Sequence, residues 1–286
     1  MNPNTLDILI QLIENNLFVE ISKSINPIEI PNKIKVESKD IIWWEEISDL
    51  NGLVIPAILE SKLNNSLSSI ENYVQEQLID KNLYDSITNY VGKINIPCKT
   101  LCDYLKVGNI YLSIQSKLHA RLAQIKKYNW LNNKLITQSH KKLNMIKIDT
   151  LFEITITSDF LCDYVDYNHN IYGCIQIKGR LDAINDDTVW EFKCVDNLTI
   201  EHKLQLIVYY WMWKQAKFNL KYGKKEFSLI NIKSGQILKL NLKYELCDYI
   251  IEQIMQILFD EKFSKKTILN EYEFINMCKN NKIYKN

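Results

Sequence analysis

Apolar positions fall into two regimes along the chain, and these meet near residue 150. Before it, apolar residues recur every three or four positions and predict helices. After it, alternation and short apolar runs predict strands separated by helices. Residues 5–17 carry helical spacing. Residues 18–50 mix short β-like runs with Pro27, Pro31 and the Trp43-Trp44 pair and read as an irregular leading segment. A buried helix is expected at 53–63 and further helices at 66–80, 99–105 and 108–137, with a break around Gly92 to Pro97. Beyond 150, Phe152 to Thr157 alternates, Ile171 to Ile184 is β-rich, and Thr188 to Cys194 forms a third strand after an Asp186-Asp187 turn. A helix follows from Thr199 to Lys217. A hairpin is expected at 226–232 and 235–241, turning at Lys233-Ser234-Gly235, and helices at 243–261 and 267–279 close the chain. This order predicts an α/β (α+β) fold in which a mixed central sheet is flanked by helices behind a large N-terminal helical region.

Composition supports an ordered globular chain. Of 286 residues, 47% are hydrophobic and 24% charged, a balance that excludes disorder and permits a core without staples. The longest apolar run, Leu206 to Trp213, is far shorter than the ~20 residues of a membrane helix. The N-terminus has neither a basic region nor a cleavage motif, so an intracellular protein without membrane contact is expected. Seven cysteines, at 98, 102, 162, 174, 194, 247 and 278, form no C-x-x-C pair. That argues against a zinc ribbon or an iron–sulfur cluster, and buried reduced thiols are expected. No glycine-rich phosphate loop, Walker motif or nucleophile elbow occurs, so no nucleotide cofactor is expected.

Charge is unevenly spread. The first 100 residues carry 8 basic and 14 acidic side chains, the remainder 27 and 20. No acid lies between Asp103 and Asp149, a stretch holding Lys106, Lys117, Arg121, Lys126, Lys127, Lys134, Lys141, Lys142 and Lys147 beside Tyr111, His119, Tyr128 and Trp130. A second basic run extends from Lys214 to Lys243, with Glu226 its only acid. Lysines interleaved with rings suit single-stranded nucleic acid, whose phosphates pair with cations and whose bases stack on aromatics. The plain alternative is a solvated helix face with the rings turned into the core. Only two residues, Arg121 and Arg180, are arginine, and heavy use of Asn, Ile and Lys fits an A+T-rich coding sequence such as that of a large DNA virus.

Chemistry concentrates between Gly179 and Tyr209. On a strand, Glu191 and Lys193 point to one face while Trp190, Phe192 and Cys194 point to the other. A turn between Asp186 and Asp187 sets Asp182 directly across from Glu191, with Cβ atoms ~5 Å apart. Two carboxylates and the Phe192 carbonyl make a hard-oxygen site for Mg²⁺, or Mn²⁺ in its place, with Lys193 beside it to stabilise developing negative charge. Glu-x-Lys alone is more often an ordinary salt bridge, but a central apolar strand makes unpartnered charges costly. Gln205 and Tyr209, at i and i+4, share one face of the following helix.

Asp182, then Glu191-x-Lys193, then Gln205-x-x-x-Tyr209 resembles the PD-(D/E)XK nuclease superfamily, in particular its RecB-like and lambda-exonuclease-like branch. The resemblance covers about residues 150–242 and implies a restriction-endonuclease-like core in a nuclease domain at 51–286, after an N-terminal extension at 1–50. Within it, 51–63 would be the first-motif helix, 64–149 a basic helical insertion, 150–242 the catalytic sheet and helix, and 243–286 the C-terminal helices. The first motif, commonly G-x-x-x-H-x-x-x-E, is matched by Gly52 and Glu60 but has Pro56 in place of histidine. Proline cannot ligate a metal, which leaves Glu60 or Glu153 as candidates to complete the site. The resemblance implies a metal-dependent DNA nuclease with Asp182, Glu191, Lys193, Gln205 and Tyr209 as its catalytic set, an exonuclease serving replication, repair or recombination. Arg180, Arg121, Lys117, Lys126, Lys127, Tyr128 and Trp130 would contact single-stranded DNA or DNA ends. A non-cutting nucleic-acid scaffold, an RNA endonuclease, and a nuclease subunit working with a helicase on another chain remain the alternatives.

Overall fold

The computed structural model describes residues 10–263 apart from 12, 15–16, 25, 39–40, 118–119 and 167–168, and describes side chains outside 38, 41, 160–175 and 256–263. Three strands come first: β1 (Phe18–Ser22), β2 (Lys33–Ser38) and β3 (Ile41–Glu46). Six helices follow: α1 (Ser48–Asn64), α2 (Ser69–Gln77), α3 (Lys81–Val91), α4 (Leu101–Ser116), α5 (Ala120–Gln124) and α6 (Asn133–Lys142). The second half runs β4 (Leu151–Asp166), β5 (His169–Ile184), β6 (Thr188–Lys193), α7 (Ile200–Gln215), α8 (Phe218–Tyr222), β7 (Glu226–Asn231), β8 (Gln236–Leu240) and α9 (Tyr244–Phe263).

A six-stranded sheet in the order β1-β8-β7-β6-β5-β4 carries the fold. Its one parallel pair, β6 with β7, is joined through α7, and the other neighbours are antiparallel. The sheet is therefore mixed, and the chain is α/β with helices on both faces. Under α1, α4 and α6, one core layer packs Leu50, Val54, Leu105, Ile136, Trp190, Phe192 and Ile230. Under α7 and α9, the other packs Leu206, Ile207, Trp213, Val189, Phe227, Leu229 and Ile250. Alternation within β6 and β7 thus feeds both layers, which explains their near-continuous apolar sequence. Among the described residues no helix is long and apolar enough to cross a membrane.

Capping explains where the helical half departs from its expected boundaries. Ser68 and Glu71 form a reciprocal capping box that starts α2, and Thr100 with Asp103 does the same for α4. Asp80 accepts from Asn82 N and Leu83 N to start α3, which the apolar spacing did not reveal. The expected helix 108–137 is instead three: α4 ends at Lys117 in a left-handed conformation, α5 is one turn, and Asn132 caps α6. Residues 18–50 are not irregular, because β1 pairs with β8 and β2 pairs with β3. The expected strand at 152–157 extends to Asp166 in a long ladder with β5. Cys98, Cys102, Cys194 and Cys247 are free thiols; Cys194 and Cys247 are buried as expected, but Cys102 is exposed. His119, Cys278, the expected helix 267–279 and the side chains of Cys162 and Cys174 lie outside the described residues.

Gly108 fixes how closely α1 and α4 approach. A Cβ there would lie 2.4 Å from Val54 Cγ2 and 2.9 Å from Leu50 Cδ1, both in the fully buried interface. Gly108→Val is expected to lower stability by ~1–3 kcal/mol through overpacking. Urea unfolding checks this: the midpoint falls while the slope is unchanged, and an unaltered midpoint would contradict the close packing.

Candidate active site

The site lies where the sheet's side-chain alternation reverses. Phe152 and Ala183, paired across β4 and β5, pack in the layer under α1. Two residues along each strand, the paired Ile154 and Leu181 pack in the layer under α7. On regular strands residues two apart share a face, so the phase changes at the two residues between, Glu153 and Asp182. Glu153 has φ +53°, a left-handed conformation that costs a non-glycine residue roughly 1 kcal/mol or more. The distortion sets these two carboxylates near enough to feel one another's charge.

On the other side of β5, the ladder with β6 pairs Ile184 with Val189 and Ala183 with Trp190, the register expected from an Asp186-Asp187 turn. One step further, Asp182 Oδ2 accepts from Phe192 N at 2.6 Å. Asp182 and Glu191 lie close enough that each perturbs the other's ionisation. Lys193 Nζ donates to Glu191 Oε1 at 2.7 Å and to Gln205 Oε1 at 2.7 Å. Gln205 Nε2 in turn donates to Tyr209 Oη at 3.0 Å. The five residues Asp182, Glu191, Lys193, Gln205 and Tyr209 therefore form one connected chain between β5, β6 and α7. Tyr209 fits because residue 179 is glycine: a Cβ there would lie 2.7 Å from its Cε1.

Burial dominates the electrostatics. Glu191 is 2% exposed, and its Oε2 has no hydrogen-bond donor. Burial, then the adjacent Asp182, raises its carboxyl to about 8. Glu153 is raised to about 7 by burial and by Asp182, against the pull of Arg180 and the Tyr111 hydroxyl. Asp182 is raised by burial, against Lys193 and the Phe192 N–H. Burial pulls Lys193 down, but Glu191 and Asp182 outweigh it and hold the ammonium above the usual lysine range.

The remaining candidates divide into committed and free groups. Both Glu60 oxygens are used at the start of α2, accepting from Ser69 N at 2.9 Å and Ser69 Oγ at 2.6 Å. Glu153 is ion-paired with Arg180 and accepts from Tyr111 Oη at 2.8 Å. Arg121 is tied to Asp49, Glu45 and the Glu46 carbonyl, so its charge is already matched. Tyr128 is buried with its hydroxyl bonded to Asn109, and Trp130 donates to Asn51 Oδ1 at 2.9 Å. The Tyr128 ring is built into the core, and Trp130 is partly buried against it. Lys117, Lys126 and Lys127 are exposed. The second basic run places Lys217, Lys221 and Lys224 on the surface around α8. Tyr111, 42 positions from Glu153, joins the site without any local sequence signal.

Among the described residues, no group of three His, Cys, Asp or Glu side chains is arranged to hold a metal ion. Asp182 and Glu191 with the Phe192 carbonyl are a two-carboxylate oxygen set, which suits Mg²⁺ that keeps several of its waters. The donor-less Glu191 Oε2 is an open ligand atom within that set. Comparison with protein-family models, curated proteins and solved structures finds no match.

A raised carboxyl makes stability depend on pH with a definite sign. Between the ordinary glutamate value of 4.5 and about 8, folded Glu191 holds a proton that the unfolded chain has released. Stability therefore falls as pH rises through that window. In chelator, Glu191→Gln is expected to be more stable than the wild type at pH 8 by ~1–3 kcal/mol, with the difference shrinking toward pH 5. Denaturant unfolding at the two pH values checks it; equal stability at pH 8 would show Glu191 to be unstrained.

Proposed function

We propose that the chain is a metal-dependent nuclease that hydrolyses DNA phosphodiesters, with a restriction-endonuclease-like core of the PD-(D/E)XK kind. The observation that carries this reading is the connected set Asp182–Glu191–Lys193–Gln205–Tyr209, buried yet charged, between two strands and the crossover helix. Three ionisable groups, Asp182, Glu191 and Lys193, would not be gathered in an apolar sheet at such desolvation cost without a task. Asp182, Glu191 and the Phe192 carbonyl would hold Mg²⁺ or Mn²⁺. A bound divalent ion supplies Lewis acidity toward a phosphate oxygen and a lowered pKa for water.

The chain's own residues account for the rest. Lys193, kept charged by its two carboxylate neighbours, stabilises negative charge at the attacking or equatorial oxygens. Gln205 fixes the Lys193 ammonium from the side opposite Glu191 and is itself held by Tyr209, so the ammonium has one direction left in which to donate. The substrate's backbone would be met by exposed lysines rather than by buried rings. A groove of about 290 Å³ lined by Lys126, Lys127 and the ion-paired Lys35 and Glu37 lies between the β2–β3 hairpin and the segment after α5. Trp44, 65% exposed and paired across the hairpin with Lys35, supplies the open aromatic face that Tyr128 and Trp130 do not.

The reading is tested with end-labelled linear single-stranded, linear duplex and closed circular DNA, each with Mg²⁺, Mn²⁺ or EDTA. Metal-dependent cutting is expected, and survival of the circles would make the enzyme an exonuclease. Asp182→Ala, Glu191→Ala and Lys193→Ala are each expected to reduce cutting by at least ~10²-fold without unfolding the chain. Full activity in any one of them would reject the assigned core. Binding retained in EDTA with no cutting of any substrate would leave a nucleic-acid scaffold in its place.

Charge reversal tests the binding face separately. Lys126→Glu combined with Lys127→Glu is expected to weaken DNA binding and to lower the slope of log K against log salt by roughly 1.4–1.8, the contribution of two phosphate contacts. Anisotropy titrations at several salt concentrations measure this, and an unchanged slope would move the DNA path elsewhere.

A further inference from the structure

The site holds a row of buried carboxylates with a cation at each end. Glu153 and Asp182 fall between the paired Phe152–Ala183 and Ile154–Leu181 and feel one another's charge, and Asp182 neighbours Glu191. Lys193 closes the row at Glu191, and Arg180 closes it at Glu153. Glu60 adds a fourth carboxylate whose charge is felt at Glu153. When a bound cation holds all four carboxylates ionised, Lys193 and Arg180 offset two of them and two negative charges remain. One divalent ion cancels them; a second would leave a buried excess of two positive charges, at several kcal/mol each if unpaired.

The two ends of the row also differ in what is open. At Glu191, Oε2 is buried and has no donor. At Glu153, Oε2 is taken by both Arg180 and the Tyr111 hydroxyl. Arg180 is built into this position: its guanidinium lies 4.7 Å over the Tyr111 ring, and its side chain is 29% exposed. A guanidinium can stack on a ring while it remains beside a carboxylate as a fixed charge, whereas an ammonium is a compact point charge; here the contact with Glu153 is an ion pair in which Arg180 Nε makes no aligned hydrogen bond. Only two of the 35 basic residues are arginine, and both contact carboxylates, Arg121 meeting Asp49 and Glu45.

We propose that Arg180 takes the place of a second metal ion: by holding Glu153 against Tyr111 it closes the Glu153–Asp182 side of the site, so that the chain binds a single divalent ion between Asp182 and Glu191. This rests on the nuclease reading and specifies its metal count. Arg180 is thus a positioning residue, and removing it opens a second ion site between Glu153 and Asp182.

The test is a Mn²⁺ titration of the full chain, with stoichiometry read by calorimetry and by electron paramagnetic resonance of free Mn²⁺. One ion per chain is expected for the wild type and two for Arg180→Gln, with the second lost again when Glu153→Gln is added. Two ions in the wild type, or one in a folded Arg180→Gln variant, would overturn the proposal while leaving the nuclease reading intact. No ion in either protein would overturn the nuclease reading itself. Should Arg180→Gln fail to fold by circular dichroism, Glu153→Gln alone decides. Retention of one ion supports the proposal, and loss of the ion makes Glu153 a ligand and overturns it.

Discussion

Desolvation of adjacent carboxylates is the constraint around which the centre of this molecule is arranged. Glu153, Asp182 and Glu191 come from three neighbouring strands, and none has enough water to carry its charge freely. Each nearby polar group answers that demand: the Phe192 N–H, the Lys193 ammonium, the Arg180 guanidinium and the Tyr111 hydroxyl. The reversal of side-chain alternation at Glu153 and Asp182 belongs to the same arrangement. A regular ladder would send Phe152 and Ile154 into the same layer, and the strained φ at Glu153 is what prevents it.

The helices serve this arrangement from two directions. From the C-terminal half, α7 brings Gln205 and Tyr209 onto Lys193, and a glycine in β5 leaves room for the tyrosine ring. From the N-terminal half, α4 brings Tyr111 onto Glu153 and Arg180, while α1 and α2 together immobilise Glu60. Pro56 gives up the backbone bond to Gly52 within α1, yet the helix runs on to Asn64. The basic helical half is therefore a wall of the site as well as a carrier of surface lysines.

What could be read from sequence alone was local. The alternation of β6, the two-residue turn before it and the i, i+4 pair on α7 are short-range features, and they bring Asp182, Glu191, Lys193, Gln205 and Tyr209 together. The contacts of Tyr111, Ser69 and Arg180 span loops of many residues and leave no periodic trace. The same limit explains Tyr128 and Trp130, whose spacing among lysines suggested a stacking surface. Their partners Asn109 and Asn51 lie on helices distant in sequence, and those hydrogen bonds hold Tyr128 in the core and Trp130 half-buried against it. Helix ends in the first half were missed because single side chains set them, as Asp80 does for α3 and Lys117 for α4.

The pairing of β1 with β8 sets an order of events during synthesis. Phe18 lies against Leu240, so β1 leaves the ribosome more than 200 residues ahead of its partner strand. Closing so long a loop is slow compared with forming the local hairpins β4–β5 and β7–β8. Until then β1 is a free edge carrying Val19 and Ile21, both largely exposed even in the finished fold. A nascent chain therefore presents a sticky strand until β8 has been made, which makes chaperone contact at residues 18–22 a property of its topology.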